Sequence, residues 1–221
     1  MEIHTMKYYG SIAGILAPII YGIIVFGLGI FEPGFNHLTD MMSLLGGVEG
    51  IRGFLFNVGV IVTGLMVMIF AVGINSSLND GQGSRVGSGM LFIGGIGLAS
   101  GGIFHCDEGC ANFLAMTPIG VMHLVSAAIG GMFTALSLFA LYFRMKHDVY
   151  WKAYGWFTLA MALLGNGAGI LLWISYPTDS LIEFQGLIQR LGIIFPLIWI
   201  GTIAGLMLKS VREESSASHT S

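Results

Sequence analysis

The residues able to do chemistry in this chain are few, and they gather in short stretches. PGFNHLTDMMSLLGG carries His37, Asp40 and Ser43, while FHCDEGC carries His105, Cys106, Asp107, Glu108 and Cys110. GVMHLVSAA carries His123, and GLIQRLGIIFPLIWIG sets Arg190 about a turn inside an apolar run. An ionisable group in such a run is expensive, so it normally faces the protein interior and has a partner.

Histidine beside carboxylate supports two chemistries. Asp107 and His123 can form an acid–base pair, with Asp40 and Ser43 as further catalytic candidates. Alternatively, His123 and Asp107 are two ligands of a transition metal such as zinc, with His105 or His37 as a third. A structural role competes with both and is favoured: Asp107 accepts hydrogen bonds from His123 and nearby amides, fixing a loop to a helix. No H-x-x-x-H spacing is present to strengthen the metal reading. If the stretch after Gly34 is helical, His37, Asp40 and Ser43 recur every three residues and share one face. Arg190 either snorkels to headgroups, pairs with a carboxylate, or binds an anionic substrate group such as a lipid phosphate. Cys106 and Cys110, the only cysteines, are expected to form a disulfide that pins Asp107, with a metal or redox pair as the alternative.

These residues must be positioned by elements that live in lipid. Of 221 residues, 55% are hydrophobic and only 10% charged, with a mean hydropathy of +0.83. A soluble domain carries roughly 25% charged residues, so most of this chain has lipid as its solvent. Six apolar stretches near the ~20 residues needed to cross are predicted at about 8–30, 51–75, 86–104, 119–143, 153–175 and 186–208. The expected fold is an all-α integral membrane bundle of six transmembrane helices. It forms one domain over 1–208, with a short interfacial helix in the first outer loop and a disordered cytoplasmic tail over 209–221. Lys7, Arg85, Arg144, Lys146, Lys152, Lys209 and Arg212 fall on one side, and only Arg52 and Arg190 lie near the other. That bias predicts a cell-membrane protein with both termini cytoplasmic, placing the polar stretches on the outer face. Most of the 34 glycines lie inside apolar runs and read as helix–helix contact points, Gly97 and Gly101 forming a G-x-x-x-G pair. Asn166 reads as interhelical glue.

The same stretches resemble the domain-of-unknown-function family 998. The likeness rests on the Pro-Gly, Asp, Ser and Gly of the first loop, the C-D-x-G-C setting with a later helix histidine, and a last span with Gln-Arg and Trp. It implies a small six-span prokaryotic membrane protein and no particular activity. The matching positions are Pro33, Gly34, Asp40, Ser43, Asp107, His123, Arg190 and Trp199. The family often has another residue where His105 stands, which weakens a metal site that needs it.

No nucleotide fingerprint, HExxH or GxSxG occurs. The net charge of −3 is too small to imply a polyionic partner, and no nucleic acid is expected. The favoured reading is an accessory or lipid-binding protein with a polar cluster on the outer face. A membrane-embedded hydrolase or metalloprotein acting on an amphiphile is the alternative, and a small transporter the second; whether the chain is an enzyme stays open. Membrane lipids are the expected partners, with a membrane-protein partner or a second copy also open.

Overall fold

A computed structural model describes residues 3–78, 82–107, 116–178 and 180–219. Among these, six helices are long and apolar enough to cross a membrane: Ile3–Phe31, Ile51–Ser77, Arg85–Ile103, Pro118–Met145, Trp151–Ser175 and Ile182–Ser216. The first comprises α1 (Ile3–Gly22), a π-helical segment (Ile23–Gly27) and α2 (Leu28–Phe31). The others are built on α3 (Ile51–Ser77), α4 (Gln82–Ile103), α5 (Pro118–Met145), α6 (Gly155–Thr178) and α7 (Gln185–His219). The expected bundle of apolar helices is what the chain forms.

The helices close into a ring, in which α1 packs on α3, α3 on α4, α4 on α5, α5 on α6, α6 on α7 and α7 back on α1. Lipid supplies no hydrophobic drive between helices, so close backbone approach replaces it. A Cβ on Gly10 would lie 2.6 Å from Gly73 Cα, and one on Gly97 would collide with the Gly130 backbone. Gly101 meets nothing within 4 Å. The G-x-x-x-G pair expected from sequence is therefore half right: Gly97 makes the α4–α5 crossing with Gly130, without Gly101. At the centre, fully buried Trp199 donates through Nε1 to Thr158 Oγ1 at 2.9 Å and meets the Phe70 ring edge-on at 6.0 Å. One α7 residue thus ties α6 to α3. Asn166 Nδ2 donates to Ala135 O at 3.0 Å, joining α6 to α5.

Two local features depart from the sequence reading. Residues 209–219, expected to be disordered, continue α7 as helix. The first turns of α1 run beside them, with Lys7 Nζ 3.3 Å from Glu214 Oε1 and His4 Nε2 3.0 Å from Ser215 Oγ. The loop between the first two spans is helical only at Met42–Gly47, as a 3₁₀ segment. His37 and Asp40 precede it, so the three-residue repeat with Ser43 makes no common helical face.

The glycine contacts give a paired expectation. Gly97→Ala forces a methyl into the Gly130 backbone and lowers stability by about 1–3 kcal/mol. Gly101→Ala, facing open space, changes it by less than about 0.5 kcal/mol. Thermal unfolding of the two variants in the same detergent checks both.

Candidate functional site

The polar residues predicted to cluster fall into two groups with different partners. One sits where α4 ends and α5 begins. Thr117 is the N-cap of α5 and Pro118 its first residue, a pairing that suits a helix start because proline lacks the amide a helix leaves unpaired there. Thr117 Oγ1 accepts from Gly120 N at 3.2 Å. The Asp107 carboxylate completes the cap, accepting from Thr117 N at 2.9 Å and from Thr117 Oγ1 at 2.5 Å. It lies against Gly120, where a Cβ would strike Oδ2. His123 Nδ1 is 2.7 Å from Phe104 O and 3.3 Å from Gly101 O. Carbonyls only accept, so Nδ1 carries the proton and ties off the last turn of α4.

Asp107 and His123 therefore serve two adjoining helix ends, each holding its own backbone partners. No hydrogen bond joins them among the described residues; of the structural reading, the bond from a nearby amide to Asp107 that fixes the loop to the helix is present, and the one from His123 is not. His105 is exposed, with Nδ1 3.0 Å from Cys106 O. Among the described residues no three His, Cys, Asp or Glu side chains gather as metal ligands. His37 in particular stands with the second group. Cys106 is buried, but Cys110 and Glu108 lie outside the described residues, and with Cys110 the expected disulfide.

The second group joins the loop between the first two spans to the start of α7. Pro33 and Gly34 turn the chain, with Phe35 N donating to Glu32 O at 3.2 Å and Gly34 at φ 78°, the left-handed value that favours glycine. The Asp40 carboxylate then folds back on its own loop, accepting from Asn36 N and Thr39 Oγ1, each at 2.8 Å. The loop docks by backbone onto the unpaired amides of α7. Gly186 N donates to Thr39 O at 3.2 Å, and Leu187 N to Leu38 O at 2.9 Å. Met42 N donates to Gln189 Oε1 at 2.7 Å. Gly186 is required there, since a Cβ would collide with Asp40 O. Ser43 is half-buried in the 3₁₀ segment just beyond.

Arg190 is the buried centre of this group, only 3% exposed. Its Nη1 donates to Asp40 O and Gly186 O, both at 2.8 Å, and its Cζ stands 5.5 Å from the centre of the Phe35 ring. Nε and Nη2 are buried and have no hydrogen-bond partner, and no carboxylate pairs with the guanidinium among the described residues. Arg190 lines a cavity of about 190 Å³ between α1 and α7, whose other walls are apolar apart from the Tyr21 hydroxyl: Pro18, Val25, Phe26, Ile194, Leu197 and Ile198 among them. The Tyr21 hydroxyl donates to Met42 Sδ at 3.0 Å. His37 packs on Gly29 beside Phe26 and Phe35, and neither of its ring nitrogens has a partner.

Sequence reasoning finds Arg190, Asp40 and His37 but misses Tyr21, Met42 and Phe35, whose apolar character hides them. It also misses Thr117, although a Thr-Pro pair before an apolar run signals a helix start.

Two expectations follow from the capping geometry. The Thr117 hydroxyl first, then its amide, hold the Asp107 carboxyl below its ordinary value of 3.8. The folded chain binds that proton less tightly than the unfolded chain, so the stabilisation is complete above about pH 4 and is lost as pH falls through the depressed value. Asp107→Asn should remove this acid-linked loss, read from thermal unfolding across pH. His123→Ala, which leaves Phe104 O unpaired, should cost about 1 kcal/mol.

No curated protein and no solved structure matches the chain. The family model described as "Protein of unknown function (DUF998)" matches residues 15–206, a stretch that holds the cavity and both polar groups. With most of its length inside that match, this multi-pass membrane protein belongs to the DUF998 family.

Proposed function

We propose that the protein binds the anionic headgroup of a membrane amphiphile at Arg190, with the apolar cavity between α1 and α7 taking the start of an acyl chain. The observation that carries this is the state of the guanidinium. Nη1 is committed to two carbonyls, while Nε and Nη2 are buried without partners. Those two nitrogens form one edge of the guanidinium fork, the edge that pairs with two oxygens of a carboxylate or phosphate at once. The Asp40 carboxylate acts on the guanidinium through its charge while bonding Asn36 N and Thr39 Oγ1, so an anionic ligand would supply the hydrogen bonds that the Nε–Nη2 edge lacks among the described residues. The apolar walls favour an amphiphile over a free anion. The cavity is smaller than the ~300–1000 Å³ usual for a fully enclosed ligand, so most of the amphiphile stays in the bilayer.

The chain's orientation belongs to the same proposal. Seven of the nine lysines and arginines gather with the termini, which supports cytoplasmic termini in the cell membrane and puts Arg190 in the outer leaflet. The group at Asp107 and His123 has a structural role, supported by its helix-end hydrogen bonds. An accessory or carrier role for the lipid-bound protein fits better than hydrolysis, because among the described residues neither histidine group sets a base beside a free nucleophile.

Native mass spectrometry with added phosphatidylglycerol, against zwitterionic phosphatidylcholine, tests the proposal. Wild type should prefer the anionic lipid, and Arg190→Gln should weaken its binding about tenfold or more, the loss expected for a charge-assisted pair. Arg190→Lys, which keeps the charge but loses the fork, should fall between. Equal retention of anionic lipid by wild type and Arg190→Gln would sink the reading.

A further inference from the structure

His37 is half-buried in this region, and both of its ring nitrogens are buried without a hydrogen-bond partner among the described residues. A neutral imidazole carries one N–H donor and one acceptor nitrogen, so a ring with both nitrogens buried and unpaired leaves both unsatisfied. That costs free energy unless something from outside completes the site. The ring packs against Gly29, Phe26 and Phe35. Gly29 lets it lie on the α2 backbone, with Nε2 2.8 Å from where a Cβ would stand. Phe26, itself a wall of the Arg190 cavity, is 5.5 Å from the ring centre to centre. Phe35 meets it edge-on at 5.2 Å and lies 5.5 Å from Arg190 Cζ. One aromatic ring therefore separates the imidazole from the guanidinium.

The charged groups acting on His37 are Arg190 from α7 and Asp40 from its own loop. Asp40 spends its carboxylate on Asn36 N and Thr39 Oγ1. The titratable group α1 brings to the cavity is Tyr21, bonded to Met42 Sδ. Glu32, where that span ends, stands 3.0 Å from Arg52 Nε.

We infer that His37 is the proton-accepting partner of Arg190, so that binding an anionic headgroup at the guanidinium draws one proton onto the imidazole. The inference rests on the proposed headgroup site and adds its regulation and ligand charge. In the empty protein burial, then the positive charge of Arg190, hold His37 below its ordinary value of 6.5, and Asp40 opposes them more weakly. A bound anion offsets the Arg190 charge and makes the imidazolium less unfavourable beside it. The ligand-bound protein then keeps its proton to higher pH than the empty protein. Between those two values affinity rises as pH falls, by at most tenfold per pH unit for one proton. No covalent bond forms or breaks; the proton comes from solvent and returns to it on release. The ligand class is an anionic phosphodiester or carboxylate amphiphile, taken up more tightly on an acidified face of the membrane.

Calorimetric titration of the full chain in detergent with short-chain phosphatidylglycerol tests this, because the phosphodiester does not titrate near neutral pH. Running it at about pH 6 in two buffers of different ionisation heat gives the protons taken up per lipid bound. Wild type should take up a proton, and its affinity should rise by about tenfold between pH ~7.5 and ~5.5. His37→Gln should bind with no uptake and a flat pH profile. The same titration with glycerophosphoglycerol, the headgroup without chains, separates a lipid site from a free-anion site: weaker binding with the same uptake assigns the chains to the apolar walls. Lipid binding without proton uptake in wild type overturns the role of His37 and leaves the Arg190 site standing. Uptake that persists in His37→Gln overturns it equally. No binding at any pH removes the headgroup site itself. The wild-type result decides the question even if His37→Gln fails to fold.

Discussion

A buried positive charge organises one end of this bundle. Arg190 sits a turn inside α7, where lipid and protein both disfavour a cation, and the chain compensates with carbonyls rather than carboxylates. To bring Asp40 O within reach, the loop between the first two spans must lie across the start of α7, which the unpaired amides of Gly186 and Leu187 make favourable. That docking fixes Phe35 over the guanidinium and His37 behind Phe35. Arg190 also lines the seam between α1 and α7, with Nε and Nη2 buried and without partners among the described residues. Loop, helix start and cavity are consequences of one side chain's position.

The seam itself follows from how α1 is built. Pro18 packs on Gly201, holding α1 and α7 together. Proline has no amide to give back to the preceding turn, and a few residues later α1 widens into the π-helical segment Ile23–Gly27. Gly22, at that junction, faces open space. Elsewhere the ring is shut by contacts too close for any side chain, as at Gly10–Gly73 and Gly97–Gly130. The cavity thus lies where the helix is irregular, and the polar group at Asp107 and His123 closes helix ends instead of lining a site. Lys7–Glu214 and His4–Ser215 hold the same two helices together at the far end, so the α1–α7 seam is fastened below its opening.

The sequence makes the spans legible because hydropathy and length decide crossing, and neither depends on tertiary detail. It makes Arg190 and His123 conspicuous for the same reason: a titratable group in an apolar run needs an explanation. What it hides is the choice of partner. Asp107 and His123 are close in sequence and complementary in charge, yet each is satisfied first by the nearest backbone, Thr117 N and Phe104 O. The helical repeat of His37, Asp40 and Ser43 likewise loses to local hydrogen bonds, since Asn36 and Asp40 favour side-chain turns. Residues 209–219 are polar enough to read as disordered, and their helix depends on α1, a partner some two hundred positions away.

The central claim is that Arg190 keeps one edge of its guanidinium for an anionic headgroup. An electron cryo-microscopy map of the protein in nanodiscs containing phosphatidylglycerol tests it most directly. The account predicts headgroup density within hydrogen-bond distance of Nε and Nη2, continuing as a chain along Val25, Phe26 and Ile198. Arg190 paired instead with a carboxylate of the protein, or turned out to solvent with the α1–α7 seam closed, would contradict it.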